Sequence, residues 1–314
     1  MNHKSKLISP STIPTAPEGF KSGFVGIIGR PNVGKSTLMN QLVGQDISIT
    51  SPISQTTRNR LRGILTVEEA QIILVDTPGI HRPHHQLGKI IVQNAKSAIN
   101  SVDIVIFVVD SSVPAGGGDK YIAELLETST KPVILGLNKI DKQTSDHYSL
   151  DESYSILARL YNWPLIKFSA LTKERLCLLQ TVLINHLAPG PYYYPPNLVT
   201  DQPEHFIIRE LIREQVLQKT RQEIPHSVAI IIEKVEVTSN LTRIFAAINV
   251  ERDSQKRIII GTKGNMLKAI GSAAREKIQT LIMGDIYLQL FVKVEPKWRQ
   301  SSSRLSEFGY YLES

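Results

Sequence analysis

The chain contains a single cysteine, Cys177, so no disulfide can form within it, and a reducing compartment is the expected setting. Its neighbours Leu176, Leu178 and Leu179 belong to an apolar helical segment, where a lone cysteine reads as a small core residue. No apolar run approaches the roughly twenty residues that a membrane-spanning helix needs, and the 41% hydrophobic content suits a soluble globular protein. Membrane contact, on this reading, is at most peripheral. The first twenty residues lack the apolar core of a signal peptide; rich in Ser, Thr and Pro, residues 1–20 read as a flexible tail. A complete metal-site pattern is also missing. His81, His84 and His85 cluster, but no nearby cysteine or ordered carboxylate pair completes a ligand set.

What is present is length and positive charge. At 314 residues the chain is long enough for two domains. The net charge of +7 implies an anionic partner beyond a nucleotide. Between Arg252 and Arg299 ten basic residues face four acidic ones, which directs the search for a polyanion to the C-terminal part.

From Gly23 to about His186, short apolar runs alternate with amphipathic segments. Phe24 to Ile28, Gln71 to Val75, Ile104 to Val109, Val133 to Leu137 and Leu165 to Phe168 read as buried strands. Such alternation specifies a doubly wound α/β domain with a mostly parallel sheet and ligand loops at the carboxyl ends of the strands. The first of these ends carries Gly29-Arg30-Pro31-Asn32-Val33-Gly34-Lys35-Ser36-Thr37, the pattern GxxxxGK[ST]. Its backbone N–H groups suit phosphates and Lys35 suits the β and γ oxygens, a cradle that an ATPase, a GTPase or a kinase would share.

Later motifs narrow the choice. Gln55-Thr56-Thr57-Arg58 lies in a polar stretch, and Thr57, with Thr56 as the alternative, offers a hydroxyl that joins Ser36 on Mg²⁺ when a γ-phosphate is present. Asp76-Thr77-Pro78-Gly79 follows the second strand, placing a carboxylate near the metal and the Gly79 N–H near the γ-phosphate. In Asn138-Lys139-Ile140-Asp141, the Asp141 carboxylate can accept both N–H groups on guanine's Watson–Crick edge, which adenine lacks. Asn138 either bonds the base or ties the loops together, and the Lys139 stem packs on the ring face. Ser169-Ala170-Leu171 adds a backbone N–H toward the guanine oxygen.

This ordered set, GRPNVGKST, QTTR, DTPG, NKID and SAL, resembles the translational-type GTPases and the Era GTPases in particular, with coverage from about Gly23 to the C-terminus. The resemblance implies a P-loop GTPase domain over 21–187, a linker over 188–203, a smaller α+β type II KH domain over 204–299, and a C-terminal tail over 300–314. It also implies GTP and GDP as ligands with Mg²⁺ on Ser36, Thr57 and Asp76, and Lys35, Thr57 and Gly79 as the catalytic set. Signalling GTPases place a water-orienting glutamine after this glycine, but here Ile80 follows Gly79. Slow hydrolysis is therefore expected. Asn32 matches the loop asparagine that helps hold K⁺ in related potassium-stimulated enzymes, and is equally suited to a turn.

The C-terminal half carries its own pattern. Ala188 to Pro203 contains five prolines and the run Tyr192 to Tyr194, which excludes a helix or central strand. Packing on a domain surface is the favoured use of those tyrosines over stacking on bases. Glu204 to Glu223 has helical spacing, and His226 to Val237 and Leu241 to Val250 read as strands. Gly261-Thr262-Lys263-Gly264 then feeds a helix with Met266, Leu267, Ile270 and Ala274 on one side, and a last strand covers Ile286 to Val294. The stretch SQKRIIIGTKGNMLKAIGSAAR resembles the KH motif, in which a GxxG loop admits the sugar-phosphate backbone beside a groove for about four unpaired bases. Gly261, Thr262, Lys263, Gly264, Lys268 and Arg275 are the candidate RNA contacts. The resemblance implies the 3′ end of small-subunit (16S) ribosomal RNA as partner, a role in 30S assembly, and a cytoplasmic protein partly associated with the inner face of the cell membrane; the sequence is silent on oligomeric state, with a monomer favoured. A constitutive RNA-binding scaffold with a structural nucleotide is the alternative. Three features depart from the family: a longer N-terminal tail, a loosely similar HRPHHQLGKIIVQNAK, and no glycine after Ser169-Ala170-Leu171.

Overall fold

The computed structural model describes residues 13–50, 61–80, 86–143, 148–220, 224, 227–282 and 284–310. Thr57, Thr56 and the histidine cluster therefore lie outside the described residues.

The first half is an α/β unit. Strands β1 (Lys21–Ile28), β2 (Leu61–Thr66), β3 (Ala70–Asp76), β4 (Ile104–Asp110), β5 (Val133–Asn138) and β6 (Leu165–Lys167) form one sheet in the order β2-β3-β1-β4-β5-β6. All neighbours are parallel except β2, which runs antiparallel to β3 at the edge. Each parallel step needs a crossover; the helices α1 (Lys35–Val43), α2 (Gln86–Ser101), α3 (Gly117–Glu127) and α4 (Tyr148–Tyr161) lie in those connections, and α5 (Leu176–His186) follows β6. β3 is buried at every position, as expected for a strand covered on both faces. Two apolar layers result: one contains Leu38, Ile72, Ile106 and Phe168, the other Ile28, Phe107, Ile122 and Tyr154.

The second half is α+β. Helix α6 (Glu204–Lys219) precedes β7 (Ala229–Val237), β8 (Leu241–Val250), α7 (Asp253–Ile260), α8 (Asn265–Gln279) and β9 (Asp285–Val294). Its sheet has the order β7-β8-β9, with β7 antiparallel and β9 parallel to β8. Ile270, Ala274 and Ile278 bury the inner stripe of α8.

Between the halves, the proline-rich segment is fastened to the first sheet. Gln71 Oε1 accepts from the N–H groups of Tyr193 and Tyr194, and Gln71 Nε2 donates to the Tyr194 carbonyl at 2.9 Å. Tyr192 packs on Phe20 and Tyr193 on Phe24, with ring centroids 4.3 and 5.2 Å apart. The tyrosines thus pack on a domain surface. The Ile64 N–H of edge strand β2 donates to Val199, so the segment also covers an edge that would otherwise invite pairing with another chain.

Two expectations need correction. Residues 300–314 are not a tail throughout: α9 (Ser302–Glu307) folds back, and Leu305, Phe308 and Tyr310 bury themselves against Trp298, which is fully buried. Four large apolar groups within thirteen residues can form a small core of their own, and the Trp298 indole N–H donates to the Ser227 carbonyl at 3.0 Å. Cys177 is exposed. The buried stripe of α5 runs through Leu176, Leu179 and Leu183, and the position after Leu176 is turned away from it. Among the described residues no helix is long and apolar enough to cross a membrane.

Candidate functional site

The turn from β1 into α1 builds the first candidate site. Gly34 stands at φ 98, a left-handed conformation that glycine adopts without penalty, and no side chain caps the helix that follows. The first N–H groups of α1 are therefore left for an anion. A Cβ at Gly34 would sit 2.3 Å from Asn138 Nδ2, so glycine is required by space as well.

Lys35 is buried, and its Nζ donates to the carbonyls of Gly29 at 3.2 Å and Arg30 at 2.9 Å. Burial pushes its ammonium down to about 8, against the opposing pull of Asp76. A cation held in so poorly solvated a place gains by meeting a phosphate. Thr37 follows in the first turn of α1, and Val33 is buried beneath the loop. Ser36 Oγ donates to Asp76 Oδ2 at 2.8 Å, and the Asp76 side chain is fully buried. This hydroxyl and carboxylate are hard oxygen donors of the kind Mg²⁺ selects, and the fold brings them together across forty residues of sequence. Thr57, the third candidate ligand, lies outside the described residues.

Gly79 lies against Pro31 of the loop, with 2.6 Å between a Cβ built on it and the Pro31 nitrogen. The next residue, Ile80, donates its N–H to Gly29 at 3.2 Å, and its side chain is buried with Ile28, Val75 and Ile99. An apolar group packed into the core cannot orient water.

The base-reading motifs converge on the same end of the sheet. Asn138, 1% exposed, donates from Nδ2 to the Val33 carbonyl at 2.8 Å, while Oδ1 accepts from the Ala170 N–H at 2.9 Å. Of the two roles weighed for it, the geometry shows loop tying. Lys139 stands at φ 68, and its Nζ donates to the Asn32 carbonyl at 2.7 Å and to Asp110 Oδ2 at 2.5 Å. Burial raises the Asp110 carboxyl, but hydrogen bonds from Lys139 and Ser112 outweigh it and hold the group below its ordinary value. Asp141 is exposed, with Oδ1 accepting from Ser169 Oγ at 2.5 Å. Asn32 adopts φ 64, which asparagine tolerates, so turn geometry alone accounts for its residue type.

Four contributors escaped the sequence reading. Asp110 terminates β4 as Asp76 terminates β3, and that position was a readable signal. Ser48 Oγ donates to Asp76 Oδ2 at 2.9 Å, and Asn40 holds Ser48 by its N–H and carbonyl. Arg30 pairs with the fully buried Asp119 at 2.7 Å, fixing the phosphate loop to α3. None of these last three has a local sequence signature, because the partners are set by tertiary packing.

The second candidate site lies between α8 and β9, an open groove of about 390 Å³ lined by Gly264, Leu267, Lys268, Gly271, Ser272, Arg275, Leu288, Gln289 and Leu290. Gly261 has φ 70, and a Cβ there would sit 2.6 Å from Met266 Cβ, so the loop turns tightly onto α8 only with glycine. Lys263, also left-handed at φ 53, is exposed beside Thr262 and Gly264. Lys268 and Arg275 are two turns apart on one helix face, with Gly271 and Ser272 between them and Leu288 and Leu290 opposite.

Comparison with known proteins matches both halves. Residues 24–139 fit the family model described as 50S ribosome-binding GTPase, and residues 223–299 fit the KH domain family. GTPase Era of Rippkaea orientalis is 74% identical over 314 residues, covering all of both chains, and that of Crocosphaera subtropica is 70% identical over 313 residues with the same coverage. Era in complex with MgGDPNP and nucleotides 1506–1542 of 16S ribosomal RNA superposes with a TM-score of 0.90 at 35% identity, over 93% of this chain and all of that one. A variant of Aquifex aeolicus Era bound to GDP and aluminium fluoride gives 0.88 at 36% identity, with the same shares covered.

Proposed function

The chain is a member of the Era family of GTPases, and from that premise we propose that it binds the 3′ end of small-subunit ribosomal RNA during 30S assembly, under the control of its own bound nucleotide. The unit over 21–187 holds GTP or GDP, 188–203 connects, and 204–299 holds RNA. Gly29 to Thr37 enclose the phosphates with Lys35 as the charged contact, and Asp141, with Ser169 and Ala170 behind it, accepts from guanine. Lys139 and Asn138 hold these loops against each other. Ser36 and Asp76, joined by Thr57, hold Mg²⁺, which would neutralise phosphate charge there. Ile80 leaves water positioning to main-chain groups such as the Gly79 N–H, so intrinsic turnover is slow. Asn32 is the proposed protein contribution to a K⁺ site. The same reading makes the protein a cytoplasmic monomer whose membrane contact is peripheral, for which the net charge of +7 is the support.

One observation carries the RNA assignment. Arg252, Lys256, Arg257, Lys263, Lys268 and Arg275 gather at α7, the GxxG loop and α8 and form no ion pair among the described residues, whereas Lys277 of the same α8 is paired with Glu214. Uncommitted cations around a GxxG loop and an aliphatic groove are what an unpaired sugar-phosphate strand requires. Three phosphate contacts, Lys263, Lys268 and Arg275, give a slope of log K against log salt of about −2, and one contact gives about −0.7. Titration of the ribosomal 3′-end RNA against a Lys268→Glu, Arg275→Glu protein should show the slope falling from about −2 to about −0.7 with GTP hydrolysis unchanged. A slope that stays near −2 removes these residues from the interface. Equal RNA affinity with GDP and a nonhydrolysable GTP analogue would favour the scaffold alternative.

A further inference from the structure

Thr50 belongs to the nucleotide-binding half, yet its main chain is held by α6. Its N–H donates to Glu214 Oε1 at 3.0 Å, its hydroxyl donates to the same oxygen at 3.3 Å, and Gln218 Nε2 donates to its carbonyl at 3.3 Å. Glu214 and Gln218 are one turn apart on α6, so the helix offers Thr50 the acceptor and donor that a neighbouring strand would offer. The Glu214 side chain is 2% exposed, and its other oxygen, Oε2, accepts from Lys277 Nζ at 2.6 Å. One planar carboxylate therefore grips the nucleotide-binding half with one oxygen and α8 with the other.

Two residues earlier, Ser48 is tied to the metal-site carboxylate. Its Oγ donates to Asp76 Oδ2 at 2.9 Å, the same oxygen that accepts from Ser36 at 2.8 Å. Asn40 Oδ1 accepts from the Ser48 N–H at 2.8 Å, and Asn40 Nδ2 donates to the Ser48 carbonyl at 2.6 Å. The path Asp76, Ser48, Thr50, Glu214, Lys277 is continuous in hydrogen bonds and two peptide links, and ends on the helix that carries Lys268 and Arg275.

We propose that Ser48 to Thr50 form the link by which the nucleotide site sets the position of α8, with Ser48 as its contact to Asp76 and Glu214 as the positioning residue at the domain junction. This rests on the reading that α8 walls the RNA groove. The Asp76 carboxylate serves Ser36 and Ser48 and, with Ser36, would also face a bound metal, so loading of the site would alter the bond that Ser48 makes. Breaking a bond to a buried carboxylate is costly, so displacement of Thr50 carries Glu214, and through Lys277 it carries α8. Glutamate is required because only a carboxylate can accept on both sides. In Glu214→Gln an amide NH₂ must face either the Thr50 N–H or the Lys277 ammonium, and one arm is lost.

The test is amide hydrogen exchange across residues 268–275 in the full chain, with GDP and with a nonhydrolysable GTP analogue. In the unaltered protein the two states should differ at least about fivefold, the lower end of ordinary couplings between sites. Glu214→Gln and Lys277→Met should each bring that ratio to within about twofold while GDP affinity stays intact. A Glu214 that merely stabilises the fold would raise exchange equally in both states and keep the ratio. Lys277 is 35% exposed on its side chain, so Lys277→Met tests the link even where Glu214→Gln folds poorly. An undiminished ratio in Lys277→Met, or an unaltered protein whose α8 exchanges identically in both states, overturns the proposal. Because no RNA is present, failure of the RNA reading appears separately, in the Lys268→Glu, Arg275→Glu titration.

Discussion

Asn138→Ala should loosen two loops at once. The side chain is 1% exposed and both ends of its amide are bonded to main chain, Nδ2 to the Val33 carbonyl at 2.8 Å and Oδ1 to the Ala170 N–H at 2.9 Å. Alanine removes both partners from positions that are themselves buried. A buried polar group left without its partner costs about 1–3 kcal/mol, so a loss of about 3 kcal/mol is expected for the nucleotide-free protein. With a urea slope of about 3 kcal/mol/M, the unfolding midpoint of the nucleotide-binding half should fall by about 1 M. Asn138→Asp keeps the acceptor for Ala170 but sets an oxygen against the Val33 carbonyl, so it should destabilise at least as much as alanine. Gly34 supplies an internal control. Its hypothetical Cβ meets Asn138 Nδ2 at 2.3 Å, so Gly34→Ala should cost less in the Asn138→Ala background than alone, a non-additivity readable from a double-mutant cycle. Urea titration by circular dichroism, with fluorescent GDP binding beside it, measures the four variants and the unaltered protein. A midpoint for Asn138→Ala within roughly 0.3 M of the unaltered protein, about one third of the expected shift, refutes loop tying and returns Asn138 to the base.

Lys35 gives a pH prediction. Its folded value of about 8 lies below the ordinary 10.5, so between those values the unfolded chain binds more protons, and stability of the nucleotide-free protein rises with pH by about 3 kcal/mol in total, with none of that gain below 8. Nucleotide binding restores the ammonium and should take up nearly one proton at pH 9, seen as a buffer-dependent heat in calorimetry; no uptake contradicts the buried, discharged lysine. Hydrolysis should be several-fold faster in potassium than in sodium chloride at equal ionic strength, measured as phosphate release. Equal rates remove the cation from Asn32 and leave the residue its left-handed turn.

Strands β3, β4 and β5 were legible because each is largely a run of β-branched and aliphatic residues buried on both faces, and the loop motifs fell at their carboxyl ends as the topology requires. Strand β2 was not read. Leu61 to Thr66 exposes Arg62 and carries Gly63, and it owes its place to pairing with β3 and to the Val199 contact on its outer side. Helix α7 is another omission with a physical reason. Arg257-Ile258-Ile259-Ile260 favours a strand by propensity. The helix forms because Gln255 Oε1 accepts from the N–H groups of Glu251 and Arg252 at its start, and Ile259 is buried at its end. A cap and one buried contact outweigh a difference in propensity of a few tenths of a kcal/mol per residue.

The residues that join the halves were the least legible, and the reason is general to sites made by long-range pairing. A motif announces itself when one local loop must supply several groups to one ligand, as Gly29 to Thr37 do. Glu214 supplies two oxygens to partners 164 and 63 residues away, so its own neighbourhood reads as one more charge on an amphipathic helix. Arg213, Glu214 and Gln215 are consecutive polar residues between Ile212 and Val216, and all three are buried. Three successive positions spread over about 200° of a helix with 3.6 residues per turn, so the burial of all three means that α6 is covered on more than one face. That covering is Thr50 on one side and α8 on the other.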